Sequence, residues 1–174
     1  MQSGRGRVAR ALALVVAVFW LSLGSAAAAP VLLPGEGASA ASSAWRVDVL
    51  HRINGVRRAV GVAPLRTCPA LSAAAQGYAL SMAETDRFAH VDAAGSGVRE
   101  RLRAAGYRAT ATGENIAAGY TTPAAVMNGW ITSPGHFANL TNPAFHHVGI
   151  GRAARDGTRY GIYWVLEFGS GGPC

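Results

Sequence analysis

The sequence predicts an α+β fold in which helices cover both faces of a small, mainly antiparallel sheet. Apolar residues recur every three or four positions in the first half of the exported chain, which is helical spacing. Near the C-terminus the apolar residues instead alternate with their neighbours, which is the period of a strand. Helices followed by paired strands give this fold class.

Two apolar stripes predict the first two helices. Apolar side chains from Trp45 to Val60 repeat at helical spacing, and Gly61 ends that helix. A second stripe predicts a helix from Pro69 to Glu84, where proline suits the first turn because no N–H is needed there. A short third helix is expected from Val98 to Ala105. The second stripe consists of Leu71, Ala74, Ala75, Tyr78, Ala79 and Met82.

Hydroxyl–proline pairs begin two more helices. Thr122-Pro123 and Ser133-Pro134 both show the pattern of an N-cap residue followed by the first helical residue. They predict helices over residues 123–131 and 134–140. Each of these helices would be short, with fewer than three full turns.

The strands are predicted from alternation. Glu114 to Ala118 is expected to form a short strand. Val148 and Ile150 alternate with glycines, and the run Tyr160–Phe168 alternates in the same way. Because Asp156-Gly157 lies between these two segments, they predict an antiparallel hairpin.

The N-terminus predicts a secretory signal peptide over residues 1–28. Arginines at positions 5, 7 and 10 precede an uncharged apolar run, which small residues follow up to Ala29. Residues 29–44, rich in Ala, Ser, Gly and Pro, predict a flexible linker before a domain over residues 45–174. The mature protein is expected to be secreted and not integral to a membrane. An uncleaved membrane anchor is the alternative.

Charge gives no argument for a nucleic-acid partner. The chain carries 16 basic residues, all arginine, against nine acidic ones. Arg99, Arg101 and Arg103 are two residues apart, so they spread around a helix instead of forming one stripe. We therefore expect a solvated face there and no nucleic acid.

The two cysteines predict one disulfide. Cys68 and Cys174 are the only cysteines of a chain that the leader would export to an oxidising compartment. Closing a loop of about 100 residues contributes at most roughly 4 to 5 kcal/mol in the chain-entropy model. Two free thiols, or an intermolecular bridge through Cys174, remain the alternative.

Three short signatures carry the chemistry of the chain. They are Phe88-Ala89-His90, Gly113-Glu114-Asn115-Ile116-Ala117 and the segment from Trp130 to His136. Their order and local sequence resemble the CAP superfamily of cysteine-rich secretory, antigen-five and pathogenesis-related-one proteins, in its bacterial SCP-like branch. The resemblance extends from about Val47 to Phe168. It implies a CAP-type α-β-α sandwich.

The resemblance also implies a cleft. His90 and His136 match the two histidines of the superfamily's site, and Glu114 matches the glutamate of its Gly-Glu-Asn motif. Ser133 stands where a second glutamate is usual. Asn115 is expected to hold the backbone in place and not to take part in the chemistry of the site.

Two imidazoles and one carboxylate suit a divalent cation. If His90, Glu114 and His136 converge, they match the protein ligands of an open zinc site. Zinc or calcium is the cofactor such a set could hold, and the sequence establishes none with certainty. Ser133 invites a second interpretation as a nucleophile, but Pro134 after it favours an N-cap and no nucleophile-elbow motif is present.

Two classes of function follow. The first is a secreted, monomeric module that binds a small or lipid-like, or cell-envelope-derived, ligand in or beside the cleft. The second is a secreted hydrolase, metal-assisted or not, acting on peptide or envelope material. The missing second glutamate favours the first, and whether the protein is an enzyme stays open.

Overall fold

The computed structural model describes residues 36–174, with side chains from residue 44 onward. The predicted signal peptide and the linker up to residue 35 lie outside the described residues. The helices and strands, in chain order, are α1 Glu36–Ala59, β1 Arg66–Thr67, α2 Pro69–Thr85, α3 Val98–Ala104, β2 Ala111–Ala118, α4 Pro123–Ile131, α5 Pro134–Thr141, β3 His147–Ala154 and β4 Ile162–Ser170.

The sheet has four strands in the order β1-β3-β4-β2. β3 and β4 form the predicted antiparallel hairpin, and β2 pairs antiparallel with β4 at one edge of the sheet. The sequence did not predict β1, which adds a two-residue parallel pairing to β3. The sheet is therefore mainly antiparallel, and the predicted α+β fold is confirmed.

The two faces of the sheet pack against different helices. Ile150, Leu166 and Phe168 join a core with residues of α1, α4 and α5. Tyr163 and Val165, which alternate with them along β4, pack instead against α2. Alternation along each strand thus separates the two halves of an α-β-α sandwich.

Close packing of α2 explains the glycines of β3. A Cβ atom on Gly149 would lie 2.0 Å from the carbonyl oxygen of Leu71, and one on Gly151 would lie 2.1 Å from that of Ala75. Only glycine lets the strand approach the helix backbone this closely. All six members of the predicted α2 stripe are buried.

Helix α1 begins earlier than predicted. It starts at Glu36, so the part of the predicted linker from residue 36 onward is helical. That segment has no apolar period, but it is rich in alanine, the best helix former. The helix ends at Ala59, and Gly61 follows in the left-handed region with φ 73°.

The predicted disulfide is confirmed. Cys68 and Cys174 are bonded, with their Cα atoms 5.3 Å apart. The bond fastens the C-terminal residue to the start of α2, where Cys68 is fully buried. None of the described helices is both long and apolar enough to span a membrane.

Candidate functional site

Two glutamates face each other across neighbouring strands. Glu114 of β2 pairs in register with Glu167 of β4. Side chains at paired positions of antiparallel strands point to the same face and lie close together. Glu114 is 8% exposed and Glu167 is fully buried. Sequence reasoning missed Glu167, although a single acid within the apolar run from Tyr163 to Phe168 was a visible signal.

Arg101 of α3 binds both carboxylates. Its Nη2 donates to Oε2 of Glu114, and its Nε donates to Oε1 of Glu167 at 3.2 Å. Only 9% of the Arg101 side chain is exposed. The expectation that Arg101 belongs to a solvated face is therefore wrong, because its guanidinium is held between two buried carboxyl groups.

Three further contacts fix the guanidinium of Arg101. It lies over the ring of Tyr78, with Cζ 3.6 Å from the ring centroid. Its Nη1 donates to the backbone oxygens of Ser96 at 2.9 Å and His90 at 3.3 Å. A planar cation held from so many sides has little freedom to leave Glu114.

His90 meets Glu114 from the loop after α2. Its Nδ1 lies 2.6 Å from Oε1 of Glu114. An ionised Glu114 can only accept this hydrogen bond, and in that state Nδ1 of His90 is the donor. Tyr78 secures the loop by donating its hydroxyl to the backbone oxygen of Ala89, and burial raises the pKa of Tyr78 to about 12. The His90 side chain is 59% exposed, so much of the ring remains open to solvent.

The two carboxyl groups differ in how strongly each one binds a proton. Burial, and then the charge of Glu114, raise the pKa of Glu167 well above its ordinary value. Burial also raises the pKa of Glu114, but Arg101 and His90 oppose that shift. Glu167 is therefore the carboxyl group that retains a proton more strongly, and Glu114 is the one that ionises more readily.

Asparagines fasten α5 to the outer edge of β2. Asn139 donates to the backbone oxygen of Glu114 at 3.0 Å and to Oδ1 of Asn115 at 2.9 Å. Asn115 in turn donates to the backbone oxygen of His136 at 3.0 Å. The expected backbone role of Asn115 is confirmed, and it places the start of α5 beside the strand that carries Glu114.

His136 lines a cleft of about 240 Å³, which we call the His136 cleft. Nδ1 of His136 is buried and has no hydrogen-bond partner. Burial, and then the charge of His90, lower the pKa of His136, which favours a neutral ring at neutral pH. The walls of the cleft are Phe88, Ile116, Ala117, Ala118, Tyr120, Gly129, Trp130 and His136.

Ser133 occupies the predicted N-cap position of α5, but its side chain makes no capping hydrogen bond. Thr122, at the same position of α4, does cap its helix and accepts from the backbone N–H of Ala125 at 3.1 Å. No hydrogen bond described in the structure links the Ser133 hydroxyl to His136. Neither the predicted cap bond nor an activated nucleophile is seen at Ser133.

The metal prediction for His90, Glu114 and His136 finds no support in this arrangement. Both oxygens of Glu114 are engaged, one by His90 and one by the cation of Arg101. A divalent ion at this carboxylate would be repelled by the fixed guanidinium. Among the described residues, no three His, Cys, Asp or Glu side chains converge as a metal site requires. The residues present do not fit a resident cation in this geometry.

The chain belongs to the CAP family, the cysteine-rich secretory protein family, which it matches over residues 50–168. It is 32% identical over 126 residues to YkwD, an uncharacterized protein of Bacillus subtilis, and the match covers 72% of this chain. That match covers 47% of YkwD, so the chain spans about half the length of this relative.

Solved structures show the same fold. An extracellular protein containing an SCP domain, from Bacillus anthracis, superposes with a TM-score of 0.66 at 22% identity, over 82% of this chain and 45% of its own. An outer surface protein from Borrelia burgdorferi gives a TM-score of 0.64 at 22% identity, over 72% of this chain and 91% of its own. The resemblance inferred from the sequence is thus confirmed.

Proposed function

We propose that this chain is a secreted, extracellular CAP domain that binds a small, mostly apolar ligand in the His136 cleft. The observation that carries the proposal is His136, which lines a mainly apolar cleft and whose buried Nδ1 has no hydrogen-bond partner among the described residues. Binding sites are typically apolar concavities with a few polar groups that orient the ligand. A lipid-like or envelope-derived molecule with one polar group has this chemistry.

Two aromatic side chains support the proposal because they leave apolar surface open at the cleft. Phe88 is 40% exposed and Tyr120 is 36% exposed. Exposed aromatic rings beside a concavity are typical of binding surfaces. Arg101 and Glu114 lie behind the loop of His90 and hold it in place, so their role in this proposal is to position the wall of the cleft.

A divalent cation has no part in the proposed binding, because Arg101 already neutralises Glu114. Hydrolysis is the second class of function, and no nucleophile with an adjacent base supports it among the described residues. Turnover of a bound probe would favour it.

The test compares two histidines. Palmitate and a soluble muramyl peptide are titrated into the exported protein, and binding is followed by calorimetry. His136→Phe keeps a ring of similar size but removes both nitrogens, so we expect at least one probe to bind wild type and to bind this variant about tenfold more weakly. His51→Phe, at an exposed position of α1, is the matched control and should bind as wild type does.

Removing one wall gives an independent measurement. Tyr120→Ala should weaken binding of the same probe, while Leu80→Ala, another exposed apolar position outside the cleft, should not. Equal affinity of wild type, His136→Phe and Tyr120→Ala for every probe that binds would show that the ligand lies elsewhere.

A further inference from the structure

We propose that a second pocket, separate from the His136 cleft, is a binding site for phosphate esters. This pocket, which we call the arginine pocket, has a volume of about 390 Å³. It is lined by Arg99, Arg103, Tyr107, Arg108 and Ala109. None of the residues that line the His136 cleft contributes to it.

Two of the three arginines of α3 line the arginine pocket, and the third points to a different side of the helix. Arg99 and Arg103 are four residues apart, so they lie on the same face of α3. Arg101, between them in sequence, points to the carboxylates of Glu114 and Glu167. The expectation that the three arginines spread around the helix is therefore correct, but two of them still share one pocket.

The loop after α3 brings the third cation. Nη1 of Arg99 donates to the backbone oxygen of Ala109 at 3.4 Å, which holds the loop that carries Arg108 against the helix. Tyr107 is 1% exposed and anchors the same loop in the core. Because its ring fits against Gly169 and Gly172, where a Cβ atom would lie within 2.7 Å of it, this anchor has little room to move.

The charge of the arginine pocket is uncompensated. No acidic residue lines it. Among the described residues, the ion pairs involve Arg52, His90 and Arg101, and none involves the three arginines of the pocket. Glu100 is on the same helix, but its carboxylate accepts from the backbone N–H of Gly97. Like charges held in one concavity favour an anion as their common partner.

The guanidinium group favours an anion that offers several oxygens, and a phosphoryl group is such an anion. Its planar set of donors matches the oxygens of a phosphoryl group and can bind two of them at once. Inorganic phosphate alone would leave much of 390 Å³ empty. A phosphate ester with an organic group of a few carbon atoms fits the size of an ordinary ligand site.

The experiment uses glycerol 3-phosphate and inorganic phosphate as probes in calorimetric titrations at fixed ionic strength. We expect wild type to bind glycerol 3-phosphate more tightly than inorganic phosphate. Arg103→Gln and Arg108→Gln should each weaken that binding about tenfold. Arg108→Lys keeps the charge but loses the planar donors, so its affinity should lie between those of wild type and Arg108→Gln.

Arg155→Gln is the matched control. Arg155 is exposed in the turn after β3, and its removal changes the net charge by the same amount. We expect this variant to bind glycerol 3-phosphate as wild type does. Equal weakening in Arg155→Gln and Arg103→Gln would overturn the proposal, because the effect would then be general surface charge. Failure of wild type to bind either phosphate probe or anionic vesicles would also overturn it.

Two further arms separate the sources of the phosphoryl group. Vesicles of phosphatidylglycerol are compared with vesicles of phosphatidylcholine by co-sedimentation. Loss of phosphatidylglycerol binding in Arg103→Gln and Arg108→Gln, but not in Arg155→Gln, would support the proposal with a lipid headgroup as the ester. A DNA duplex that binds more tightly than both phosphate probes would overturn it in favour of a nucleic-acid surface. Circular dichroism of each variant checks that the fold is retained.

Discussion

Arg57 and Arg101 are both withdrawn from water, but they meet different partners. Arg57 of α1 is fully buried and donates only to backbone oxygens, those of Ala63, Leu140, Asn142 and Phe145. Arg101 of α3 donates to two carboxylates and lies over an aromatic ring. The first region holds a charge among neutral acceptors, and the second has two acids for one base.

The regions of Arg57 and His136 also differ in how completely their buried polar atoms are hydrogen-bonded. Around Arg57 every nitrogen of the guanidinium has an acceptor, and the bonds join α1 to the end of α5 and the loop before β3. By contrast, Nδ1 of His136 is buried and has no hydrogen-bond partner among the described residues. Buried polar atoms without partners are rare in folded proteins and require an explanation. We therefore assign stability to the Arg57 region, whereas the unpartnered Nδ1 of His136 is the feature on which the proposed ligand binding rests.

The largest expected effect is at Arg57. Arg57→Met keeps much of the length of the side chain but removes four hydrogen bonds to carbonyl oxygens, of which, among the described residues, only that of Asn142 keeps another donor, so we expect a loss of about 4 kcal/mol in the free energy of unfolding. Urea denaturation measures it. Arg58→Met, at the next and exposed position, should change the same quantity by less than about 0.5 kcal/mol. A similar loss in both variants would show that the buried bonds of Arg57 contribute little.

A smaller effect is expected at Arg101. Arg101→Met leaves Glu114 and Glu167 facing each other without a cation, but either acid can take up a proton. We expect a loss of about 2 to 3 kcal/mol at neutral pH that shrinks as the pH falls towards about 5. Unfolding at several pH values measures it. A loss independent of pH would mean that the ring contact with Tyr78, and not the ion pairs, accounts for the stabilisation.

The contribution of Glu167 to the free energy of unfolding should depend on pH. Its raised pKa means that the folded protein binds this proton more tightly than the unfolded chain does. The contribution of Glu167 to stability is therefore full in acid and is lost as the pH rises from the ordinary glutamate pKa through the raised one. Glu167→Gln stays neutral, so its stability relative to wild type should increase over that window.

The readout for Glu167→Gln is the free energy of unfolding from about pH 5 to about pH 9. Asp156→Asn, in the exposed turn of the hairpin, should show no such trend relative to wild type. Parallel curves for wild type and Glu167→Gln would contradict the assignment of the retained proton to Glu167.

The smallest effect compares the two hydroxyl–proline caps. Thr122→Ala removes a cap bond and should cost about 1 kcal/mol of stability. Ser133→Ala removes none and should cost less than about 0.5 kcal/mol. Thermal unfolding under identical conditions distinguishes them. A larger loss for Ser133→Ala would indicate a bond that forms in solution.

The sequence by itself determined the features that depend on the local spacing of residues or on the choice of pairing partner. The α2 stripe, the antiparallel hairpin and the Cys68–Cys174 bond were predicted and are confirmed, because each depends on periodicity, turn chemistry or the only available partner. His90 and Glu114 were also predicted from their signatures, and the structure brings these two into contact.

Only the tertiary structure decided the partners of Arg101. Arg101 and Glu167 are 66 residues apart in sequence, and no local pattern distinguishes a solvated arginine from one that the pairing of β2 with β4 buries. The same holds for Arg99 of α3 and Arg108 of the following loop, which share a pocket because the buried Tyr107 anchors that loop beside α3. Which charges are left without partners depends on long-range register, and that register follows from packing of the whole core.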